Sequence, residues 1–359
     1  MYIFVKKTKK RNIMLDLNAS VLLIYTGGTI GMIEDEQTGA LKSFDFNYLR
    51  EYVPELKRLQ FKIDSIQFKE PIDSSDMSPE EWKKIVRIIE ENYDTYDGFV
   101  VLQGTDTMAY SASALSFMLE NLDKPIIFTG SQLPIGKLRT DGRENLITAL
   151  EIAVDKDPEG NAFVPEVCIF FQNLLLRGNR TTKINAANFK AFNSLNFPVL
   201  AEAGTKIRYR HELIHHPHPN RIPKFHYLLD TNVAIIKLFP GVSTGLLSLL
   251  LQTPYLKGIV LETYGAGNAC GESCFLNTIK EGIERGIVVV NVTQCAHGSV
   301  DMDRYQTGKA LKNIGVLSGY DMTTEAAVTK LMFLFGLGLS SETVKAQVEQ
   351  SIAGEMTPE

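Results

Sequence analysis

Short apolar runs alternate with longer amphipathic stretches along most of this chain. The runs at 21–25, 63–69, 99–102, 125–128 and 167–171 each give way to turn-forming or polar residues, and they predict buried strands. Helical patterning between them predicts helices near 46–59, from 78 onward, at 108–119 and at 144–154. The start at Ser78 carries several agreeing signals. Ser78 and Glu81 have capping-box spacing, Pro79 holds the first helical position, and Met77 can staple onto Trp82. The alternation resumes with strands at 233–239, 259–261 and 287–292 and helices at 243–251, 274–285, 325–335 and 342–351. Between the two blocks, 208–228 breaks the pattern with Pro217, Pro219 and Pro223 and five of the six histidines: His211, His215, His216, His218 and His226. Strands alternating with helices imply an α/β fold. The expectation is two α/β domains with mainly parallel sheets covered by helices, at 20–207 and 229–359, joined by a linker at 208–228. Residues 1–19 fall outside as a basic tail.

Composition leaves this picture in place. Hydrophobic residues make up 44% and charged residues 22%, enough for two ordinary cores without disulfide or metal staples. Charge adds one asymmetry. The net charge is −5, but residues 1–19 carry +4, so the remaining chain carries −9. A body that acidic argues against a nucleic-acid-binding face. Cys168, Cys270, Cys274 and Cys295 show neither a disulfide framework nor zinc-ligand spacing. The histidine-rich stretch has only Glu212 as an acidic companion, so no metal site is expected there. The N-terminal apolar stretch is too short for a secretory signal, and no run reaches the ~18 apolar residues of a membrane span. A cytoplasmic protein with reduced thiols and no membrane contact is expected.

Helix-covered parallel sheets bind ligands beyond the carboxyl ends of their strands. Thr29, Ser74, Thr105 and the segment 177–183 all follow predicted strands. In Thr26-Gly27-Gly28-Thr29 the glycines permit a tight turn and close backbone approach. A dinucleotide loop would need Gly at Thr26, and a P-loop would need a following Gly-Lys-Ser/Thr; neither is present. The segment is either a plain glycine turn or one that presents the Thr29 hydroxyl as a nucleophile. Asp106, in Gly104-Thr105-Asp106-Thr107, is either a helix cap or a partner for a substrate ammonium, with Thr105 as a second hydroxyl. Lys183 is either a solvated charge or, if enclosed among polar groups, a base for a neighbouring Thr. A Thr–Lys–Asp set can activate a hydroxyl. The histidine count favours it, since only His297 lies outside 208–228. Ser74-Ser75-Asp76 is either a loop entering a helix or a cradle for a substrate carboxylate.

Taken in order, Thr26-Gly27-Gly28-Thr29-Ile30-Gly31-Met32, Asp73-Ser74-Ser75-Asp76-Met77, Gln103-Gly104-Thr105-Asp106-Thr107-Met108-Ala109-Tyr110 and Arg177-Gly178-Asn179-Arg180-Thr181-Thr182-Lys183 resemble the cytosolic (type I) bacterial L-asparaginases. The likeness continues through Gly130-Ser131-Gln132-Leu133-Pro134, Tyr264-Gly265-Ala266-Gly267-Asn268 and Asn291-Val292-Thr293-Gln294-Cys295. The resemblance implies hydrolysis of L-asparagine to L-aspartate and ammonia without metal or organic cofactor. It implies Thr29 as the nucleophile that forms an acyl-enzyme, with Thr105, Lys183 and Asp106 as the supporting triad. Asp73, Ser74, Ser75, Thr105 and Asp106 would bind the substrate. Asn268 would act in the neighbouring subunit's site of a homodimer or homotetramer. There are two departures. Members of the family commonly carry a Tyr in the loop after the first Thr, whereas 33–42 has none and Tyr48 lies further on. The basic positions of a second, effector site are changed, with Glu262 before Thr263 and Ser299 after Gly298. The alternatives are a glutaminase-asparaginase of broader amide specificity and a non-catalytic amino-acid sensor. A subunit feeding ammonia to transfer-RNA would carry a further N-terminal domain.

Overall fold

The first apolar run becomes strand β1 (Ser20–Tyr25) in a computed structural model that describes residues 19–34, 41–43 and 49–357. Side chains alternate between the two faces of a strand. Val21, Leu23 and Tyr25 therefore enter one core, and Leu22 and Ile24 enter another. That double burial is why the run is continuously apolar. β2 (Lys62–Gln67) and β3 (Gly98–Leu102) flank β1 in parallel, and β4 (Ile126–Thr129) and β5 (Val167–Phe171) extend the parallel array beyond β3. Next come β6 (Leu174–Arg177), β7 (Ala201–Ala203) and β8 (Ile207–Tyr209), each antiparallel to its neighbour. The sheet order is β8-β7-β6-β5-β4-β3-β1-β2. Helices α1 (Pro79–Asn92) and α2 (Met108–Met118) cover one face and α3 (Gly142–Val154) the other.

Two local expectations need correction. The stretch 46–59 is not one helix: a single turn at Leu49–Tyr52 is followed by a 3-10 turn at Pro54–Arg58. A residue before Pro avoids the helical region, and Val53 sits at φ −124, ψ 72. Residues 46–48 lie outside the described residues. The helix after Ser78 starts as expected and buries Trp82, Ile85, Val86 and Ile89 at helical spacing, but the capping box does not form. The Ser78 side chain makes no cap bond, and Glu81 pairs with Lys84 instead.

Within 208–228, Arg208 and Tyr209 belong to β8, and Lys224–Phe225 pairs with Leu119–Glu120. Among the described residues, no three His, Cys, Asp or Glu side chains converge as a metal site. The basic stretch 1–18 lies outside the described residues.

The second sheet is wholly parallel, in the order β9 (Val233–Lys237), β10 (Gly258–Thr263), β11 (Val288–Thr293) and β12 (Leu317–Ser318). Helices α4 (Thr244–Leu251), α5 (Ser273–Glu284) and α6 (Gln306–Asn313) share one of its cores; α7 (Thr324–Gly336) and α8 (Ser341–Val348) share the other. α7 also packs against α2 of the first sheet, with Phe117 stacked on Phe333 at 6.1 Å, so it is buried nearly all round.

That burial includes a charge. Lys330 Nζ meets Glu355 Oε1 at 2.6 Å with side-chain exposures of 1% and 0%, and Lys330 also donates to the carbonyls of Val348 and Gln350. Removing one partner of such a pair strands the other. Glu355→Ala is expected to destabilise the fold by about 3–5 kcal/mol, read as a lowered midpoint in chemical denaturation.

Candidate active site

The topology selects a position for ligand. The chain passes from β1 to β2 on one side and then to β3 on the other, so the carboxyl ends of β1 and β3 form a switch point. Thr29 follows β1 and Thr105 follows β3. The backbone there is unusually close-packed. Gly27 and Gly28 have φ of 132° and 92°, values that favour glycine. A Cβ on Gly27 would strike the backbone of Ile72, one on Gly28 the backbone of Gly104, and one on Gly104 the side chain of Ser74. Three loops thus meet at Gly28, Gly104 and Ser74 because two of these positions lack a side chain.

Thr29 opens a 3-10 turn (Thr29–Gly31), closed by Gly31 N–H donating to the Gly28 carbonyl at 3.1 Å. It is half-buried, and its hydroxyl makes no hydrogen bond among the described residues. Thr105, Asp106 and Lys183 come together directly. Lys183 Nζ donates to Thr105 Oγ1 at 2.8 Å and to Asp106 Oδ1 at 2.6 Å. The lysine is largely enclosed, at 16% exposure, whereas Asp106 is open at 66%. Lys183 reaches this place from a two-residue strand, Thr182–Lys183, paired with Phe192–Asn193. The preceding turn is anchored by Arg177, whose Nε and Nη2 donate to the Glu166 carboxylate at 2.6 and 3.1 Å.

Ser74 is buried and links to the same cluster. Its hydroxyl accepts from Asp106 N–H at 3.3 Å, and its carbonyl accepts from Thr107 Oγ1 at 2.6 Å. Asp73 caps the short turn Ser74–Asp76 and accepts from Ser75 N and Ser75 Oγ at 2.9 and 2.7 Å. Those two donors hold the Asp73 carboxyl below the usual carboxylate range.

The sequence reading assigns no individual role to Gln132, yet Thr105 Oγ1 donates to Gln132 Oε1 at 3.2 Å. Gln132 is itself fixed by its backbone N–H on the Asp141 carboxylate and by Nε2 on the Asn188 carbonyl. Its place just after β4, in the same row of carboxyl ends, is the signal that could have found it. Asn268 is not brought to the cluster. It lies in the loop after β10, where its backbone pairs with Tyr264 and its Oδ1 accepts from Thr307 at 3.0 Å. Glu262, at one of the altered effector positions, accepts from Thr324 Oγ1 at 2.6 Å and lies 3.6 Å from Lys237 Nζ. Residues 35–40 of the loop without Tyr, and Tyr48, lie outside the described residues.

Comparison with known proteins finds relatives over nearly the whole chain. A family model described as asparaginase, N-terminal matches residues 20–215, and one described as the glutaminase/asparaginase C-terminal domain matches 232–347. The chain is 45% identical to L-asparaginase 1 of Escherichia coli K12, over 95% of this chain and 98% of that protein. It is also 41% identical to a 60 kDa lysophospholipase of Mus musculus, over 94% of this chain but 62% of that longer protein. The crystal structure of L-asparaginase I from Vibrio cholerae superposes with a TM-score of 0.86 at 42% identity, covering 95% of this chain and 99% of that one. With both family domains matched in order, the chain belongs to the asparaginase family.

Proposed function

We propose that this chain hydrolyses L-asparagine to L-aspartate and ammonia through an acyl-enzyme on Thr29. The observation that carries the reading is the Lys183 Nζ held between Thr105 and Asp106, at the switch point where the Thr29 turn begins. An amide is a poor electrophile, so the reaction needs a positioned hydroxyl, a proton carrier and donors for the developing oxyanion. Thr29 attacks the side-chain amide carbon, and the amide nitrogen leaves as ammonia after taking up a proton. Water then attacks the resulting ester, releasing aspartate and restoring the Thr29 hydroxyl. In the first half the Thr29 proton passes through Thr105 to the Lys183 amine and from there to the leaving nitrogen; in the second half a proton of the attacking water takes the same path back to the Thr29 oxygen. Backbone N–H groups of the glycine turns supply the oxyanion hole. Asp106 receives the substrate ammonium; Ser74 and Ser75, the latter oriented by Asp73, receive its α-carboxylate. The mechanism calls on no metal or cofactor.

The same reading takes 20–207 as the catalytic domain, 208–228 as a linker and 229–359 as the smaller domain. It places Asn268 in a neighbouring subunit's site, within a cytoplasmic homodimer or homotetramer. Four unpaired cysteines suit a reducing compartment. Among the described residues, no helix is long and apolar enough to cross a membrane.

Ammonia release with asparagine and glutamine in competition tests the substrate. Glutamine is one methylene longer, so kcat/KM is expected to favour asparagine by at least about tenfold. Equal use of glutamine would support the broader glutaminase-asparaginase. Tight asparagine binding without ammonia release would support the sensor.

A further inference from the structure

We propose that Thr182 and Glu325 are positioning residues: the hydroxyl of Thr182, donating to Glu325 Oε1 at 2.6 Å, is the contact through which the C-terminal domain sets the place of the Lys183 ammonium. The inference rests on the reading of Lys183 as proton carrier.

Thr182 and Lys183 are consecutive residues of a strand only two residues long. Consecutive strand side chains point to opposite faces. Lys183 therefore enters the cluster with Thr105 and Asp106, while Thr182 turns away from it, toward α7. A two-residue pairing with Phe192–Asn193 is a weak frame for a side chain that must keep two bonds of 2.8 and 2.6 Å. A second anchor on the opposite face removes the strand's freedom to roll.

Glu325 is suited to be that anchor. It lies in the first turn of α7 with only 9% exposure. The start of α7 is fixed by the Thr323 hydroxyl, which accepts from Ala326 N–H at 3.1 Å. A helix N-terminus favours a carboxylate. Burial, reinforced by the like charge of Glu262, pushes the Glu325 carboxyl above its ordinary range. Tyr110 faces both carboxylates, and its phenol is pushed up by burial and by their charge. The next residue of α7, Thr324 on the N-terminal side, donates in turn to Glu262 at the end of β10. Two carboxylate–threonine bonds thus run from the second sheet to the residue beside Lys183. A buried carboxyl costs stability unless it is hydrogen-bonded, and among the described residues Thr182 is the side-chain donor that reaches it from outside its own domain.

The test uses steady-state kinetics and melting of the full chain. Thr182→Val and Glu325→Leu are each expected to lower kcat by about 10- to 100-fold while KM for asparagine stays within about twofold, because a shift of about 1 Å at the proton carrier costs that much. Thr182→Ser keeps the hydroxyl and Glu325→Gln keeps an acceptor oxygen, so both should hold kcat within about threefold. The Thr182→Val/Glu325→Leu double variant should fall no further than the worse single variant. Wild-type kcat in Thr182→Val, losses that multiply in the double variant, or lowered melting temperatures with unchanged kcat would each overturn the proposal. Lys183→Met is the separate control. Activity there removes the proton-carrier reading itself, whereas an inactive Lys183→Met beside a fully active Thr182→Val defeats the positioning role alone.

Discussion

Thr29→Ala is expected to end ammonia release from asparagine while leaving the protein folded. The hydroxyl is the only atom lost that the mechanism uses covalently. Without it, water must attack an unactivated amide, and only the oxyanion donors and substrate binding remain. Losing a nucleophile in such a site costs about 10⁴-fold or more in kcat. The structural cost is small, because Thr29 is half-buried and its hydroxyl holds nothing else among the described residues. Stability should change by no more than about 1 kcal/mol. Coupled ammonia detection and a thermal melt read both effects, and near-normal turnover would sink the nucleophile assignment.

Lys183→Met should be nearly as damaging. General acid–base assistance is worth about 10²- to 10⁴-fold, and kcat is expected to fall by that range. Methionine retains the apolar stem that packs along the enclosed path, so the loss falls on the ammonium. The residues left behind are not stranded. Asp106 is 66% exposed and is solvated, and Thr105 keeps its bond to Gln132. Lys183→Arg separates two explanations. It keeps the cation beside Asp106 but cannot give up its proton at neutral pH. If Lys183 only pairs charge, Arg restores turnover; if it carries the proton, Arg stays as slow as Met.

Much of the fold is legible because it rests on single elements. Val21 to Tyr25 reads as a buried strand and is one, and Pro79 reads as the first position of a helix and is one. What escapes the pattern depends on partners. β6 is hidden because its hairpin turn is Gln172-Asn173, both at positive φ. A turn of that kind is signalled by Asn-Gly, and Gln gives no such sign. The capping box at Ser78 has the right spacing but loses Glu81 to Lys84. α6 is a short helix placed by packing Leu311 on the second sheet, and β12 is a two-residue strand placed by pairing with β11.

The candidate site divides in the same way. Thr29, Ser74 and Thr105 are legible from their positions after strands, since topology alone carries them to the switch point. Lys183 is picked out by the same rule, as part of a segment expected just after the strand 167–171, but it does not arrive that way: the antiparallel β6 intervenes, and Lys183 is delivered by it, a 3-10 turn and a two-residue strand, none of which the hydrophobic pattern shows. Its enclosure, and the roles of Gln132, Thr182 and Glu325, depend on contacts between segments 27 to 143 residues apart.

The central claim is the covalent intermediate on Thr29. Rapid acid quench of the enzyme during asparagine turnover, followed by proteolysis and mass spectrometry, tests it most directly. The account predicts one aspartyl group, as an ester on the peptide that contains Thr29, absent from Thr29→Ala and more abundant in Lys183→Met if deacylation is the slower half. An aspartyl ester on the peptide that contains Thr105, with Thr29→Ala still releasing ammonia, would contradict it.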